Sequence, residues 1–361
     1  MEGRPVTTIP APPLDADRFA ERMLTAALGA VDLLAVHLGD RMGWYRALAE
    51  HGPADPAELV ARAGGAPRYA REWLEQQAAA GILTHLDGRF ALPAGVAEVL
   101  TDRDSLNYLA PLARMFAAAA VQLPALLDAY RTGGGVSWAE FGTDMREAQS
   151  DMNRPWFRQR LAAALGEVTT MTDLLSRPGA RVADVGFGGG WSSIALAQAF
   201  PELIVDGFDV DGPSVRMATE HAAAAGVGDR VRFHLADAAT ALTEHAYDAV
   251  FVFECLHDMP HPVRVLEGMR RALRPGGAAI VMDEAVAATF DAPASDIDRL
   301  MYGFSLLICL PDGLSHPGSA GTGTVMRYDT LRRYAREAGF AEVEILPIED
   351  FGFWRFYRLS A

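Results

Sequence analysis

The segment RVADVGFGGGWSSIALAQAF, residues 181–200, constrains the fold of this chain more than any other stretch. Its first residues form an apolar run that predicts a β-strand, and its last residues have the pattern of a helix. Four glycines stand between them: Gly186, Gly188, Gly189 and Gly190. Because glycine permits tight turns and close approach of the backbone to a ligand, this turn predicts a nucleotide-binding site.

The alternation of strand and helix continues from this segment to the C-terminus. Nearly continuous apolar strands separated by amphipathic helices are typical of a parallel sheet covered on both faces. The last two predicted strands, AEVEILPIE and FWRFYRLS, are joined too closely for a crossover helix, so we expect an antiparallel hairpin. The predicted fold class is α/β, with a doubly wound, mostly parallel, seven-stranded sheet that ends in an antiparallel C-terminal hairpin.

The N-terminal part of the chain predicts a second, mainly helical domain. Helical periodicity is interrupted by GILTHLDGRFALP, two short apolar runs around Asp87-Gly88, which predict a β-hairpin. Two helices followed by a hairpin are typical of a winged helix, a module that often binds DNA. The predicted organisation is a flexible arm (1–17), a helical winged-helix-like domain (18–135), bridging helices (136–180) and a Rossmann-like domain (181–361).

The balance of charges speaks against partners that carry phosphate. Basic residues number 32 and acidic residues 47, for a formal net charge of −15 at pH 7. Such a field repels nucleic acid and anionic membrane surfaces. In the second helix of the predicted winged helix, Arg68 and Arg71 are balanced by Glu72 and Glu75. This helix therefore favours a role in dimerisation or substrate shaping over DNA binding.

Cysteine usage and apolar run lengths predict the compartment. The two cysteines, Cys255 and Cys309, lie in apolar runs and form no Cys-x-x-Cys pair, which fits a reducing environment. The N-terminal sequence MEGRPVTTIPAPPLDAD has no apolar signal core, and no apolar run reaches the length of a membrane span. We predict a soluble, cytoplasmic protein.

The spacing of the glycines tests which nucleotide binds. A dinucleotide site of the form GxGxxG requires a third glycine at position 191 or 193, and these positions hold Trp191 and Ser193. A phosphate-binding loop of the Walker type requires a lysine, and the chain contains none. Neither of these nucleotide sites matches the sequence.

The order acid-x-Gly-x-Gly-x-Gly in DVGFGGG instead resembles the first motif of class I S-adenosylmethionine-dependent methyltransferases. The stretches VDGFDVD, FHLADAA, YDAVFVFECLHDM and LRPGGAAIVMDE follow in the order of that family's further motifs. The resemblance covers roughly residues 173–361, about half of the chain. It implies S-adenosyl-L-methionine as the cofactor and a homodimer formed through the N-terminal domain.

By position, the resemblance assigns cofactor binding to Asp184, Gly186, Gly188, Asp209, Val210, Asp237, Ala238, Phe253 and Glu254. It implies that Asp184 holds the cofactor's amino group, directly or through water. Asp209 would accept hydrogen bonds from the ribose hydroxyls, and Asp237 would accept a hydrogen bond from the adenine amino group. For all three carboxylates the alternative is a capping or surface role.

Two further positions complete the predicted cofactor site. Phe253 and Glu254 follow the fourth strand of the sheet and would line the methionine end of the cofactor. Asp211 neighbours Asp209, but helix capping explains it adequately.

The stretch ECLHDMPHP carries the predicted acceptor chemistry. Small-molecule O-methyltransferases that this sequence resembles often have His-Asp directly after the fourth strand, where His257 and Asp258 stand. A phenol has a pKa near 10 and imidazole near 6.5, so a contacting histidine can accept the proton of a hydroxyl acceptor. We predict His257 as the general base; a role in capping the next helix is the alternative.

Plant-like enzymes of the family that this sequence resembles flank their base with two acids. Asp283 or Glu284 can supply the first, and the segment expected to hold the second has Val325 instead. The predicted catalytic set is therefore His257, Asp258 and Asp283.

A metal site is not expected. His257 and His261 are four residues apart, but Pro260 lies between them and no third ligand is evident.

The predicted function is methyl transfer to a hydroxyl of a small acceptor, of which an aromatic secondary metabolite is one candidate. Two alternatives stay open: a winged-helix transcription regulator that retains the fold, and an enzyme that binds the cofactor but catalyses another reaction.

Overall fold

The computed structural model describes residues 15–360, which divide into a unit up to Ala97 and a unit from Glu98 onward. Residues 1–14 of the predicted arm lie outside the described residues, and its last residues, Ala16 and Asp17, already belong to a helix capped by Asp15. The predicted domain boundary at residue 135 falls within the second unit. The reason is a shared apolar core, which includes Met115, Leu126, Phe141, Met145 and Ile308.

The first unit contains helices followed by a hairpin. Its elements are α1 (Ala16–Arg41), α2 (Trp44–His51), α3 (Pro56–Ala63), α4 (Pro67–Ala79), β1 (Thr84–Leu86) and β2 (Arg89–Ala91), followed by α5 (Ala94–Thr101). Asp55 and Glu58 form a capping box at the start of α3. Asp87 and Gly88, with φ of 50° and 77°, form the turn between the antiparallel strands. The predicted winged-helix order is confirmed.

Helix α1 has an unusually exposed apolar surface. Seven large apolar side chains along its 26 residues are about half exposed or more: Phe19, Met23, Leu24, Leu28, Val31, Leu34 and Leu38. By length and composition alone this helix qualifies to cross a membrane, contrary to the sequence expectation that no run is long enough. The reason is that its apolar residues recur at helical intervals across the whole length. An apolar surface of this extent is typical of an interaction site.

The second unit is built around one large sheet. Its strands are β3 (Arg181–Val185), β4 (Ile204–Asp209), β5 (Val231–Leu235), β6 (Tyr247–Phe253), β7 (Leu273–Glu284), β8 (Glu342–Ile345) and β9 (Trp354–Ser360). They are ordered β5-β4-β3-β6-β7-β9-β8, with parallel pairing as far as β7 and antiparallel pairing of β9 with β7 and β8. The predicted fold class is confirmed.

Helices precede this sheet and cover both of its faces. They are α6 (Ala110–Val121), α7 (Leu123–Thr132), α8 (Trp138–Trp156), α9 (Ala162–Gly166), α10 (Thr169–Leu175), α11 (Trp191–Ala199), α12 (Gly212–Ala224), α13 (Ala238–Ala241), α14 (Pro262–Ala272), α15 (Asp296–Phe304), α16 (Leu310–Leu314) and α17 (Tyr328–Glu337). Short π-helical segments follow α8 (Phe157–Leu161) and α15 (Ser305–Cys309).

Strand β6 shows how the core positions the site. Ala249, Phe251 and Phe253 belong to the apolar core on one face of the sheet, and Val250 and Val252 to the core on the other. A central strand buried on both sides is held rigidly. The residues that follow β3, β4, β6 and β7 therefore meet at one edge of the sheet, where ligands bind in folds of this class.

Candidate functional site

The glycine-rich loop after β3 has one closed side and one open side. Gly186 has φ of +68°, and a Cβ there would lie 2.4 Å from Cys255 Sγ, so only glycine fits between the loops. Gly188 has φ of +52°, and no atom lies within 4 Å of the position of its Cβ. The loop thus presents open backbone at Gly188, as a closely approaching ligand requires.

Asp209, at the end of β4, holds this loop. Its Oδ2 accepts the Gly188 N–H at 3.0 Å and its Oδ1 accepts the Asp211 N–H at 2.9 Å. The carboxylate is only partly buried, so each oxygen keeps a lone pair for a ligand hydroxyl. Burial raises its pKa, against the lowering effect of the two N–H groups. Val210 beside it is 73% exposed.

Asp184, at the end of β3, lies beneath the loop. Its Oδ2 accepts the hydroxyl protons of Ser192 and Ser193, each at 2.6 Å, which ties the first turn of α11 to the strand. Its Oδ1 has no hydrogen-bond partner among residues 15–360. Burial raises the pKa of Asp184 to about 6, although both serines lower it. The predicted contact with an amino group stays a prediction, for which Oδ1 is the remaining acceptor.

The carboxylates after β4 and β5 also cap helices. Asp237 accepts the Ala239 N–H at 2.9 Å at the start of α13, next to the buried Ala238. Asp211 accepts the Ser214 N–H at the start of α12. The capping role considered for these positions is therefore present, and the adenine contact of Asp237 stays a prediction.

Glu254 follows β6 in an unusual backbone conformation. Its φ is +53°, in the left-handed region that non-glycine residues enter at a cost of about 1–2 kcal/mol. Its Oε2 accepts amide protons from Asn153 at 2.6 Å and Gln149 at 3.3 Å, both on α8. Phe253 before it is buried against the aromatic rings of Phe157 and the core.

His257 is 2% exposed and enclosed by three carboxylates. Its Nδ1 lies 2.8 Å from Asp283 Oδ1 and 3.2 Å from Glu284 Oε2, both at the end of β7. Its Nε2 lies 3.3 Å from Asp258 Oδ1. The structure thus brings together all three predicted catalytic residues, and it adds Glu284, which the sequence offered only as an alternative to Asp283.

The charges of this cluster are coupled. Burial by itself would lower the pKa of His257, but the negative charges of Asp258, Asp283 and Glu284 outweigh it and raise that pKa well above its usual value. Burial raises the pKa of Glu284 well above its usual value, whereas the charge of His257 brings that of Asp283 below its own despite burial. The carboxylates thus favour the charged form of the His257 ring, and of the two acids of β7 it is Asp283 whose charged form this ring favours over the effect of burial.

Among residues 15–360, two groups of side chains around His257 could hold a metal ion. His257, Asp283 and Glu284 form one, and His257, Asp258 and Cys309 the other, each with its ligand atoms within 4.8 Å of one another. His261, whose spacing from His257 raised the question of a metal, belongs to neither group. The absence of a metal stays a prediction.

Helix α8 contributes side chains that sequence analysis did not assign to the site. Arg146 forms a two-pronged ion pair with Asp211 at 2.8 and 3.0 Å. One turn on, Ser150 Oγ accepts the indole N–H of Trp191, beside the glycine-rich loop, at 3.0 Å. Gln149 and Asn153 hold Glu254. Polar residues three or four apart on a largely buried helix were the signal available in the sequence.

Two family models match this chain. A methyltransferase domain matches residues 182–277, from β3 into β7. An Rv2258c-like winged helix-turn-helix domain matches residues 29–102, which include α2 to α4 and the hairpin. The two matches cover the two regions in which the sequence predicted different folds.

Similar proteins include methyltransferases of known activity. The chain is 32% identical over 191 residues to 27-O-demethylrifamycin SV methyltransferase of Amycolatopsis mediterranei (strain S699), a match that covers 49% of this chain and 62% of that relative. Less than two thirds of that relative's length is thus matched.

Two solved structures have the same architecture over nearly the whole chain. One is the mitomycin 7-O-methyltransferase MmcR, with 22% identity, a TM-score of 0.69, and coverage of 96% of this chain and 98% of that chain. The other is human N-acetylserotonin methyltransferase in complex with S-adenosylmethionine, with 17% identity, a TM-score of 0.70, and coverage of 97% and 99%. At these identities the likeness establishes the fold.

Proposed function

Because this chain belongs to the S-adenosylmethionine-dependent O-methyltransferase family with an N-terminal winged-helix domain, we propose that it methylates a hydroxyl of a small acceptor. S-adenosylmethionine, the cofactor of the family, supplies a methyl group on a positively charged sulfur. An aromatic acceptor is the first candidate, because a phenolic hydroxyl needs a base of the strength that a buried histidine can provide.

The residues at the sheet edge fit this cofactor. The backbone at Gly188 is open to a ligand, and Asp209 keeps lone pairs for ribose hydroxyls beside it. The buried Oδ1 of Asp184 has no partner among the described residues. These features support the proposed roles of Asp184, Gly188 and Asp209 in binding.

The observation that carries the catalytic proposal is the 2.8 Å contact between His257 Nδ1 and Asp283 Oδ1. This contact fixes the imidazole ring, so Nε2 is the nitrogen that accepts the proton of the acceptor hydroxyl. Asp258 Oδ1, 3.3 Å from Nε2, stabilises the charge that the ring then carries. Burial of the ring excludes water, and the fixed geometry orients the acceptor for transfer.

Transfer is tested directly with methyl-labelled S-adenosylmethionine and a panel of small phenolic and aliphatic hydroxyl compounds. We expect label to appear in at least one phenolic compound. A protein that binds S-adenosylhomocysteine but labels nothing in the panel would favour the alternative in which the cofactor serves a reaction other than methylation.

We expect kcat/KM to rise with pH through an apparent pKa above 6.5, the ordinary value of histidine. Only the neutral ring accepts a proton, and the surrounding carboxylates hold His257 in its charged form until the pH exceeds its raised pKa. Asp258→Asn removes one of those charges, so the rising limb should move to lower pH. The measurement is kcat/KM against pH with one methylated acceptor.

Asp258→Glu is the matched control, since it keeps the charge beside Nε2. For Asp258→Glu, the pH at which kcat/KM rises should stay near that of the wild type. The same limb in Asp258→Asn and Asp258→Glu would mean that the titrating group is the acceptor itself and not His257.

We also propose that the protein is a homodimer through its N-terminal domain. The support is the exposed apolar side of α1, where Leu24, Leu28 and Val31 are each more than half exposed.

Light scattering should give twice the chain mass of 38.9 kDa. The double variant Leu24→Glu/Leu28→Glu should give a monomer, whereas Arg18→Glu/Arg22→Glu on the same helix should stay dimeric. A monomeric wild type would contradict the proposal.

A further inference from the structure

Glu254 lies where the glycine-rich loop and the catalytic loop meet. The next residue, Cys255, donates its thiol proton to the Val185 carbonyl at 3.2 Å and leaves no space for a Cβ at Gly186. His257 stands three residues after Glu254 in the chain. The left-handed backbone of Glu254, with φ of +53°, is the kind of outlier that concentrates at functional sites. In the chain, Glu254 thus stands next to the residue that contacts the glycine-rich loop and three residues before the proposed base.

The carboxyl is held by neutral donors. Asn153 and Gln149 donate their amide protons to Oε2, and the residue as a whole is half-buried. Within residues 15–360 no arginine forms an ion pair with Glu254, and the whole chain has no lysine. Neutral amides orient a carboxylate without cancelling its charge, whereas an arginine in their place would cancel it.

The charges that face Glu254 leave it without a cationic partner of its own. His257 is the one cationic side chain that acts on it from the loop after β6, and this ring is already enclosed by Asp283 and Glu284 of β7 and by Asp258. The side chains from α8 are uncharged amides. A half-buried acidic residue in this setting is suited to a ligand that brings a positive charge.

We propose that Glu254, oriented by Asn153 and Gln149, pairs with a positive charge at the methionyl end of the cofactor. The inference rests on the proposed cofactor binding, and it gives Glu254, which the resemblance places at the methionine end, an ionic contact and a proton that is released on binding. The cofactor offers two such charges, an ammonium group and the sulfonium. Both require an ionised carboxylate that is already fixed in place.

Binding should then be coupled to release of a proton. Burial raises the pKa of Glu254 to about 7, against the lowering effects of the Trp354 indole, the Asn153 amide and the charge of His257. Below this pH the carboxyl of the free protein is protonated, and a cationic ligand must ionise it. Affinity should therefore rise as pH increases through the neutral range.

The test is calorimetric titration of S-adenosylmethionine and S-adenosylhomocysteine at about pH 6, where the amino groups of both ligands are protonated. Two buffers of different ionisation enthalpy report the protons released. The wild type should release protons on binding. Glu254→Gln should release fewer protons than the wild type, since only Asp184, with a pKa of about 6, is left to ionise in the site, and it should bind more weakly by about 10- to 100-fold.

Asp312→Asn is the matched control. Burial raises the pKa of Asp312 to about 7 as well, and its carboxylate accepts the Trp138 N–H at 2.7 Å, which asparagine can also do. This variant should keep the affinity and the proton release of the wild type. Loss of proton release in Asp312→Asn and not in Glu254→Gln would overturn the inference.

The two ligands distinguish the two charges. Equal weakening of both by Glu254→Gln would place the ammonium group at Glu254, because S-adenosylhomocysteine lacks the sulfonium. Weakening of S-adenosylmethionine alone would place the sulfonium there. Unchanged affinity for both would overturn the inference, whereas a wild type that binds neither ligand would contradict the proposed function itself.

A second variant keeps the test decisive if Glu254→Gln does not fold. Asn153→Ser removes the closer amide donor and retains the carboxyl, so the pKa of Glu254 should rise. The pH at which affinity increases should then shift upward in Asn153→Ser. An unchanged pH dependence in this variant would also overturn the inference.

Discussion

Replacing His257 by alanine should lower kcat by about 10²- to 10⁴-fold, the usual contribution of a general base. The variant loses the one imidazole that the ends of β6 and β7 hold in a fixed orientation, with Nδ1 2.8 Å from Asp283. Affinity for S-adenosylhomocysteine, measured at a pH well above 7 where Glu254 is ionised, should change by less than about threefold, because the ring does not belong to the proposed cofactor contacts. The measurements are turnover of one methylated acceptor and calorimetric binding.

His261→Ala is the control for this variant. His261 lies four residues further on, at the start of α14, and takes part there through its backbone carbonyl. Its replacement should leave turnover close to that of the wild type. Normal turnover in His257→Ala would remove the general-base proposal. If the two single variants, His257→Ala and His261→Ala, lost turnover equally, the loss would reflect a general effect on the loop.

The sheet was predictable from the sequence because its signals are local. Strands β3, β4, β6 and β7 are largely apolar runs that end in, or directly before, a glycine or an acid. The helices between them repeat apolar residues at the helical period. The hairpin of the first unit follows from Asp87 and Gly88, whose positive φ values a two-residue turn requires. Local chemistry of this kind does not depend on the rest of the chain.

The contacts of α8 were not predictable in the same way. Asn153 and Glu254 are 101 residues apart, and nothing in the sequence near either residue identifies the other. Helical periodicity shows that residues 146, 149, 150 and 153 share one side of the helix, but not which loops this side meets. Those pairings depend on tertiary packing.

The contact of Glu284 with His257 was not predicted, because the alternation of side chains along a strand led us to expect only one of the two acids there. Successive residues of a strand point to opposite faces, so Asp283 and Glu284 were alternatives for one position. Both are the last residues of β7, and both approach the same nitrogen, Nδ1, of the His257 ring. The glycines at 133–135 mark a break between helices, while an apolar core contains residues from both sides of it.

Asp209→Ala should weaken binding of S-adenosylhomocysteine by about 10²- to 10⁴-fold. Two hydrogen bonds from ribose hydroxyls to a charged acceptor are worth about 1.5–3 kcal/mol each. The same change removes the acceptor for the Gly188 N–H, so the glycine-rich loop loses the contact that fixes its open side. Asp209→Asn keeps one acceptor oxygen and should lose less. Calorimetric titration of each variant gives the comparison.

Asp229→Ala serves as the control, because this exposed carboxylate lies between α12 and β5, away from the loop ends that form the site. It should bind like the wild type, and thermal unfolding should show that Asp209→Ala is folded. The order of affinities carries the test: wild type above Asp209→Asn, and Asp209→Asn above Asp209→Ala. If a folded Asp209→Ala bound as tightly as Asp229→Ala, the cofactor would have to lie elsewhere than at the ends of β3 and β4, and the roles proposed for Glu254 and His257 would lose their common basis.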